Sequence, residues 1–448
     1  FWIGFAVIAL AETFTRFTKN LKTAGIIATV LCLTAPALMA KDGWDDHDRS
    51  KRYFSVDAAV NYLQSCAPNA ILFTGGDNDT FPLWYAQEVE GVRTDVRVIV
   101  LSYYNTDWYI NQTMRQTYKS KPFPYTLTAQ NYRQGGPNDY LPYYNANIKS
   151  MDLKQYLDLL KKDHKGLRLY PTANAFPTRE VTLPVDVEKV KSLGIVPKNL
   201  EQYIVPEMKL KLRNGTSGLE KKDLAMLDVL ATANWERPIY VNNTSMAQFN
   251  IDISRYVVQE GNAYRVLPIY NPDPNNDLVN TAVAFENMTK KFQYRGLDDA
   301  SIYYTQDYRS FVQNHRSSFN TLAQAFLAEG DTAKARETLL FSLTKMPDQG
   351  VRYDFTNAQM VEILLEVGEK EKALEIANLM AQRFDDQATY YYNKREFGRD
   401  FQLPMFLLGE MQRVLYAYGE TETAKKLETM YEKHNQAFQQ RSIDRGDF

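Results

Sequence analysis

Little in this chain supplies ready-made chemistry. Only two cysteines occur in 448 residues, Cys32 and Cys66, too few for a disulfide framework or a four-ligand zinc site. The four histidines (47, 164, 315, 434) lie far apart, and none has a helically spaced partner. No strand leads into G-x-G-x-x-G, and there is no Walker loop, no H-E-x-x-H and no G-x-S-x-G. No nucleophile–base pair can be read. Neither charge sign dominates: 52 Lys and Arg stand against 54 Asp and Glu. That balance leaves no electrostatic footprint for a nucleic acid.

What is present is apolar and aromatic. Hydrophobic residues make up 44% of the chain and aromatics 13%, enough for two or three packed cores. The longest uncharged run is Ala24 to Ala40, "AGIIATVLCLTAPALMA". At about 1.5 Å per residue it covers roughly 26 Å, the lower limit for a membrane span. Upstream lie a second apolar run, "FWIGFAVIAL", and a basic stretch with Arg16, Lys19 and Lys22. The chain has no initiator Met, so it reads as a piece of a longer protein. Basic residues between apolar runs place that loop in the cytoplasm and everything after about Lys41 outside it. A signal peptide cleaved after "APA" or "LMA" is the rival, and the apolar run upstream argues against it. Past the exit, "DGWDDHDRS" carries Asp45, Asp46, His47, Asp48 and Arg49. It reads as a solvated collar, or otherwise as a divalent-metal cluster.

From Ser55 to about Asn243 helices and strands alternate. "SVDAAVNYLQSC" is a helix with Ser55 as N-cap. "AILFT", "DVRVIVLSYY" and "RPIYVNN" are strands, apolar throughout, as in a parallel sheet covered on both faces. "FPLWYAQEVEG", "TDWYINQTMRQTY", "MDLKQYLDLLKKD" and "KKDLAMLDVLATANW" are helices. The rest of 120–218, rich in Pro, Asn, Gly and Tyr, reads as irregular loop. "YVVQEGNAYRVLPI" is a hairpin turning at Gly261-Asn262, and 270–277 is a boundary loop.

The C-terminal part repeats one phrase: "GDTAKA" from Gly330, "GEKEKA" from Gly368 and "GETETA" from Gly419. Gly supplies a left-handed cap, and Ala lets two helices cross closely. The spacing is irregular, so these are degenerate tetratricopeptide-like hairpins, which stack into a concave surface for a peptide or form a buttressing cap.

The three strands end in "TGGDNDT", "SYYNTDW" and "VNNTS". If they are parallel neighbours, Asp77, Asn78, Asp79, Asn105, Thr106, Asp107, Asn242 and Asn243 meet at one edge, with Trp84 and Trp108 on the helices that follow. Ligands bind beyond the carboxyl ends of such strands. Carboxylates, amides and indoles suit a sugar or a peptide. The plainer account is capping, with Asp79 or Thr80 starting a helix at Phe81 and Thr106 one at Asp107. "DND" fails as an EF-hand, because Phe81 and Pro82 fall at positions five and six. A calcium site on Asp77 and Asp79, or their use as a hydrolase acid–base pair, stays open, although no second distant carboxylate motif accompanies them.

"WDDHDRSKRY", the long run from "SCAPNAILFTGGDNDTF" to "VIVLSYYNTDWYI", and "NWERPIYVNN" together resemble the domain of unknown function 2723 family. These are multipass membrane proteins similar to the transmembrane protein 260 type of O-mannosyltransferase, and the resemblance covers nearly the whole chain. It implies a glycosyltransferase that uses a lipid-linked sugar and modifies proteins outside the cytoplasm, here at the inner membrane with a periplasmic domain. In such enzymes the catalytic carboxylate lies near the start of the full protein. No catalytic residue can be carried over, and no cofactor is implied. The expected architecture is membrane segments over 1–40 (span about 24–40), an α/β domain with a mostly parallel sheet over 41–300, and all-α hairpins over 301–448. The expected partners are the bilayer, an acceptor protein or peptide and, through the missing N-terminal part, the lipid-linked sugar, with no nucleic acid. The alternative is a membrane-tethered scaffold that holds a protein partner.

Overall fold

The computed structural model describes residues 1–445; the side chains of Asp45 and Asp46, and of residues 437 and 440–445, lie outside the described residues. Helices Trp2–Thr18 and Leu21–Asp42 open the chain and pack on each other. Lys19 turns the backbone at φ 50°, and the Asn20 side chain caps the second helix through the Lys22 and Thr23 N–H groups. Ala11, Ala24 and Ala28 are the buried residues of this pair, while Ile26, Val30 and Leu33 face outward. Small residues at the crossing let two backbones approach. Leu21–Asp42 is long and apolar enough to cross a membrane.

The main sheet runs in the order 257–259, 264–266, 239–241, 71–74, 97–100. The last three strands are parallel, and the hairpin joins them antiparallel. Period-two alternation splits the central strands. Leu72, Val98 and Tyr240 pack toward helices Phe54–Ser65 and Asp77–Glu88, while Ile71, Phe73 and Ile99 pack toward Lys221–Ala233. Burial on both faces is why these strands read as unbroken apolar runs.

Three expectations change. The region from 120 to 218 is not mostly loop. It contributes Met151–Asp152, Glu180–Pro184 and Glu207–Leu212 to a second sheet, completed by Ile251–Asp252. Met208, Leu210 and Leu212 face inward between outward lysines 209 and 211, a legible strand alternation. The sheets are therefore mixed rather than mostly parallel. The helix expected to be capped by Ser55 begins at Phe54, after Tyr53, with no side-chain cap.

Three helical hairpins follow: Gln306–Ala328 with Thr332–Lys345, Phe355–Glu366 with Lys370–Lys394, and Arg399–Ala417 with Thr421–Arg445. Gly330, Gly368 and Gly419 turn them at φ 80°, 81° and 79°. Five residues on, Ala335, Ala373 and Ala424 are fully buried. Their apolar cluster also takes in Phe54, Val279, Met288 and Phe292.

A polar knot joins the sheet layer to the first hairpin. His315 Nδ1 donates to the Phe311 carbonyl (2.8 Å), which leaves Nε2 to accept from Asn61 Nδ2 (3.0 Å) and Asn262 Nδ2 (2.6 Å). Asp57 takes the Arg295 N–H and guanidinium. Burial holds the His315 imidazole neutral, its pKa lowered from 6.5 to about 4. The unfolded chain takes a proton at about pH 6.5 and the folded one only near 4. This contribution is therefore complete above pH 6.5 and is lost as the pH falls through that window, by about 2 kcal/mol at pH 5. Denaturation at pH 7.5 and pH 5 should show that His315→Asn removes most of that acid-linked loss. An equal loss in the variant would exclude the imidazole as its source.

Candidate functional site

The "GGDNDT" turn is explained by packing. A Cβ on Gly75 would lie 2.6 Å from Thr244 Cβ. Helix Asn243–Gln248 therefore sits on this glycine and closes the crevice between strands 71–74 and 239–241. Gly76 is the N-cap, and the helix begins at Asp77 rather than Phe81. Neither Asp79 nor Thr80 caps it. Thr80 is buried, its Oγ1 2.7 Å from the Gly76 carbonyl and 2.7 Å from Thr74 Oγ1. Asp77 and Asp79 occupy the first turn, where the helix end favours anions. Asp77 and Asn78 are exposed. Asp79 Oδ2 is buried without a hydrogen-bond partner, beside Tyr62 and Phe311 around a void of about 10 Å³. Asp77 and Asp79 thus face different surroundings. No group of three metal-ligating side chains occurs among the described residues.

The other polar strand ends are tied into the fold. Asn105 donates to Glu220 Oε2 and accepts from Lys222 N, both at 2.9 Å. Thr106 holds the N-cap position, but its hydroxyl donates to the Tyr103 carbonyl (2.6 Å) instead of accepting from the helix. Asp107 Oδ2 accepts from Gln134 N (2.8 Å), which holds its carboxyl below the usual range. Asn242 forms a capping box with Ser245. Asn243 is exposed and begins the helix Asn243–Gln248.

Trp84 and Trp108 do come together, in a cavity of about 570 Å³ along the outer strand Arg97–Val100. The rings form a chain: Phe81 to Trp84 (5.5 Å), Trp84 to Tyr103 (6.3 Å), Tyr103 to Trp108 (5.9 Å), and Trp108 to Tyr109 (5.4 Å). Trp108 is half exposed. The strand edge is blunted by side chains: Val100 N donates to the Tyr109 hydroxyl (3.4 Å), and Gln87 Nε2 donates to the Val96 carbonyl (2.8 Å). Burial pushes the Tyr109 hydroxyl up to about 12. Arg97, Tyr103 and Gln112 also line this cavity. Sequence reasoning missed these three; the "SYY" that ends the second strand was a signal for Tyr103 alone, which is exposed while Tyr104 is buried. The carboxylates of the first strand end do not reach it. The arrangement can stack an apolar ring face and offer amides and a guanidinium, and it carries no acid–base pair.

The family model described as TMEM260-associated domain 2 matches residues 55–283, just over half of the chain. The chain belongs to this family. The match takes in the whole ring chain and the cavity it lines, and stops short of the helical hairpins. No curated protein and no solved structure matches. Together with the apolar helix Leu21–Asp42, membership describes a membrane-associated, TMEM260-like protein.

The closed crevice makes a paired prediction. Gly75→Ala should destabilise by about 1–3 kcal/mol through overpacking against Thr244. Gly76→Ala, with extended backbone and open space, should cost far less. Thermal melts of the two variants check this; equal losses would remove the packing argument.

Proposed function

We propose that this TMEM260-like chain is the extracytoplasmic C-terminal region of a membrane-bound protein O-glycosyltransferase that uses a lipid-linked sugar. Residues 41–448 hold the acceptor or its sugar beside a catalytic centre located elsewhere in the enzyme. The inner membrane, with this region on its periplasmic side, is the compartment. The aromatic cavity carries the reading: Trp84, Tyr103 and Trp108 present ring faces, and Gln112 and Gln116 add amides. Indole faces cover sugar C–H surface while amides bond hydroxyls. The repeated Gly-to-Ala spacing of the hairpins supports a tetratricopeptide-like module behind this domain.

The full chain in detergent, titrated with methyl mannoside and other neutral hexosides, should show saturable quenching of tryptophan fluorescence with Kd of about millimolar. Trp108→Ala should weaken binding about tenfold, the worth of one good aromatic contact. Hexoside binding that is absent, or unchanged in the variant, overturns the sugar site. Glycosyl transfer by this chain alone would overturn the accessory role.

A second reading, a scaffold for a protein partner, is favoured by a groove of about 380 Å³ between the first helices of the hairpins. Phe406, 62% exposed, lines it beside Glu362 and Glu410. Asn320 also lines it, with an Oδ1 that has no partner.

A further inference from the structure

Three arginines elsewhere in this fold are neutralised by carboxylates, one of them, Arg316, fully buried and the others partly or half exposed. Arg93 pairs with Asp95, Arg295 with Asp57 and Arg316 with Asp354. Two at the aromatic cavity are not. Arg97 stands on the outer strand and lines the cavity. Its Nη2 donates to the Gln112 carbonyl at 2.9 Å, and its Nη1 has no partner. Near it, Arg237 is held by neutral acceptors alone: the carbonyls of Asn69, Lys121 and Pro122 and the hydroxyl of Ser120. Ser120 is itself on the cavity wall. Neither guanidinium has an acidic neighbour among the described residues; the charge that Arg237 feels is that of Arg97. Burial, reinforced by that repulsion, lowers Arg237 to about 10. Glu88 is the one carboxylate on the wall, and it already accepts the Tyr118 hydroxyl.

A buried cation without a counter-charge is costly, and an arriving anion offsets that cost. Arginine's planar fork suits carboxylate and phosphate alike. We infer that the cavity takes an anionic sugar, a hexose carrying a phosphate or carboxylate, with its ring face on Trp108 and Tyr103 and its anion on Arg97. This rests on the reading of the cavity as a carbohydrate site and adds the charge of the ligand.

The test titrates the full chain with methyl mannoside, mannose 6-phosphate, glucuronate and inorganic phosphate, at low and high salt. Mannose 6-phosphate or glucuronate should bind at least about tenfold tighter than the neutral hexoside at low salt, with the gain shrinking at high salt. Which of the two gains more tells phosphate from carboxylate. Arg97→Gln should abolish the preference for the anionic sugars, whereas Arg97→Lys should retain part of it. Equal affinity for neutral and anionic sugars in the wild-type chain overturns the inference and leaves the sugar site standing. A preference that survives Arg97→Gln overturns it as well. Inorganic phosphate held by the wild type and lost in Arg97→Gln, with no hexoside bound, supports the anion site and overturns the sugar reading. The wild-type comparison decides even if the variant fails to fold.

Discussion

The neutral imidazole of His315 is the joint on which the two halves of the chain beyond the apolar N-terminal helices depend. Its Nε2 accepts from two amides at once, Asn61 of the helix under the sheet and Asn262 of the sheet's hairpin turn. A protonated ring would turn that acceptor into a donor aimed at two donors. The same turn is fixed from below, where Ser65 Oγ receives Asn262 N (3.0 Å) and leaves no room for a side chain at Gly261, φ 125°. In a buried network each bond made strengthens the others, and an unmade one is costly; Asn262 Oδ1 is the one group of this knot left without a partner among the described residues. Here the bonds come from three separate stretches of the sequence.

That joint decides which side of the sheet stays open. The hairpin 257–266 occupies one flank and is bound to the helical part through Gln259 Nε2 and the Ser318 carbonyl (3.1 Å). The other flank ends at Arg97–Val100. An exposed strand edge invites pairing with other chains, and folds cover it by several devices. In this chain Tyr109 and Gln87 satisfy the edge with side chains instead of a further strand. The space a strand would have taken is left as an aromatic cavity. The crevice where an open α/β sheet usually binds ligands is filled by Thr244 resting on Gly75.

Much of the fold was legible because its signals are local. Apolar runs at 71–74, 97–100 and 239–241 gave the strands, and the Gly-to-Ala phrases gave all three hairpin turns. The antiparallel turn at Gly261-Asn262 was legible for the same reason. The second sheet was not, because its strands are short, lie among prolines, and gain their stability only by pairing across long separations, as between 180–184 and 207–212. At the site, Trp84 and Trp108 were found, but the polar residues beside them were weighed as one cluster. Asn105 and Asn242 turned out to be bonded within the fold.

The sequence by itself determined the elements, the apolar N-terminal helix and the presence of aromatic residues behind each strand, since each depends on neighbours within a few residues. Tertiary structure alone decided that one strand end is sealed and another strand flank is hollow. That choice rests on which strand lies outermost and on where Gly75 meets Thr244. A contact between residues far apart in sequence, Gly75 and Thr244, sets the first, and the order of the strands sets the second; no local pattern records either.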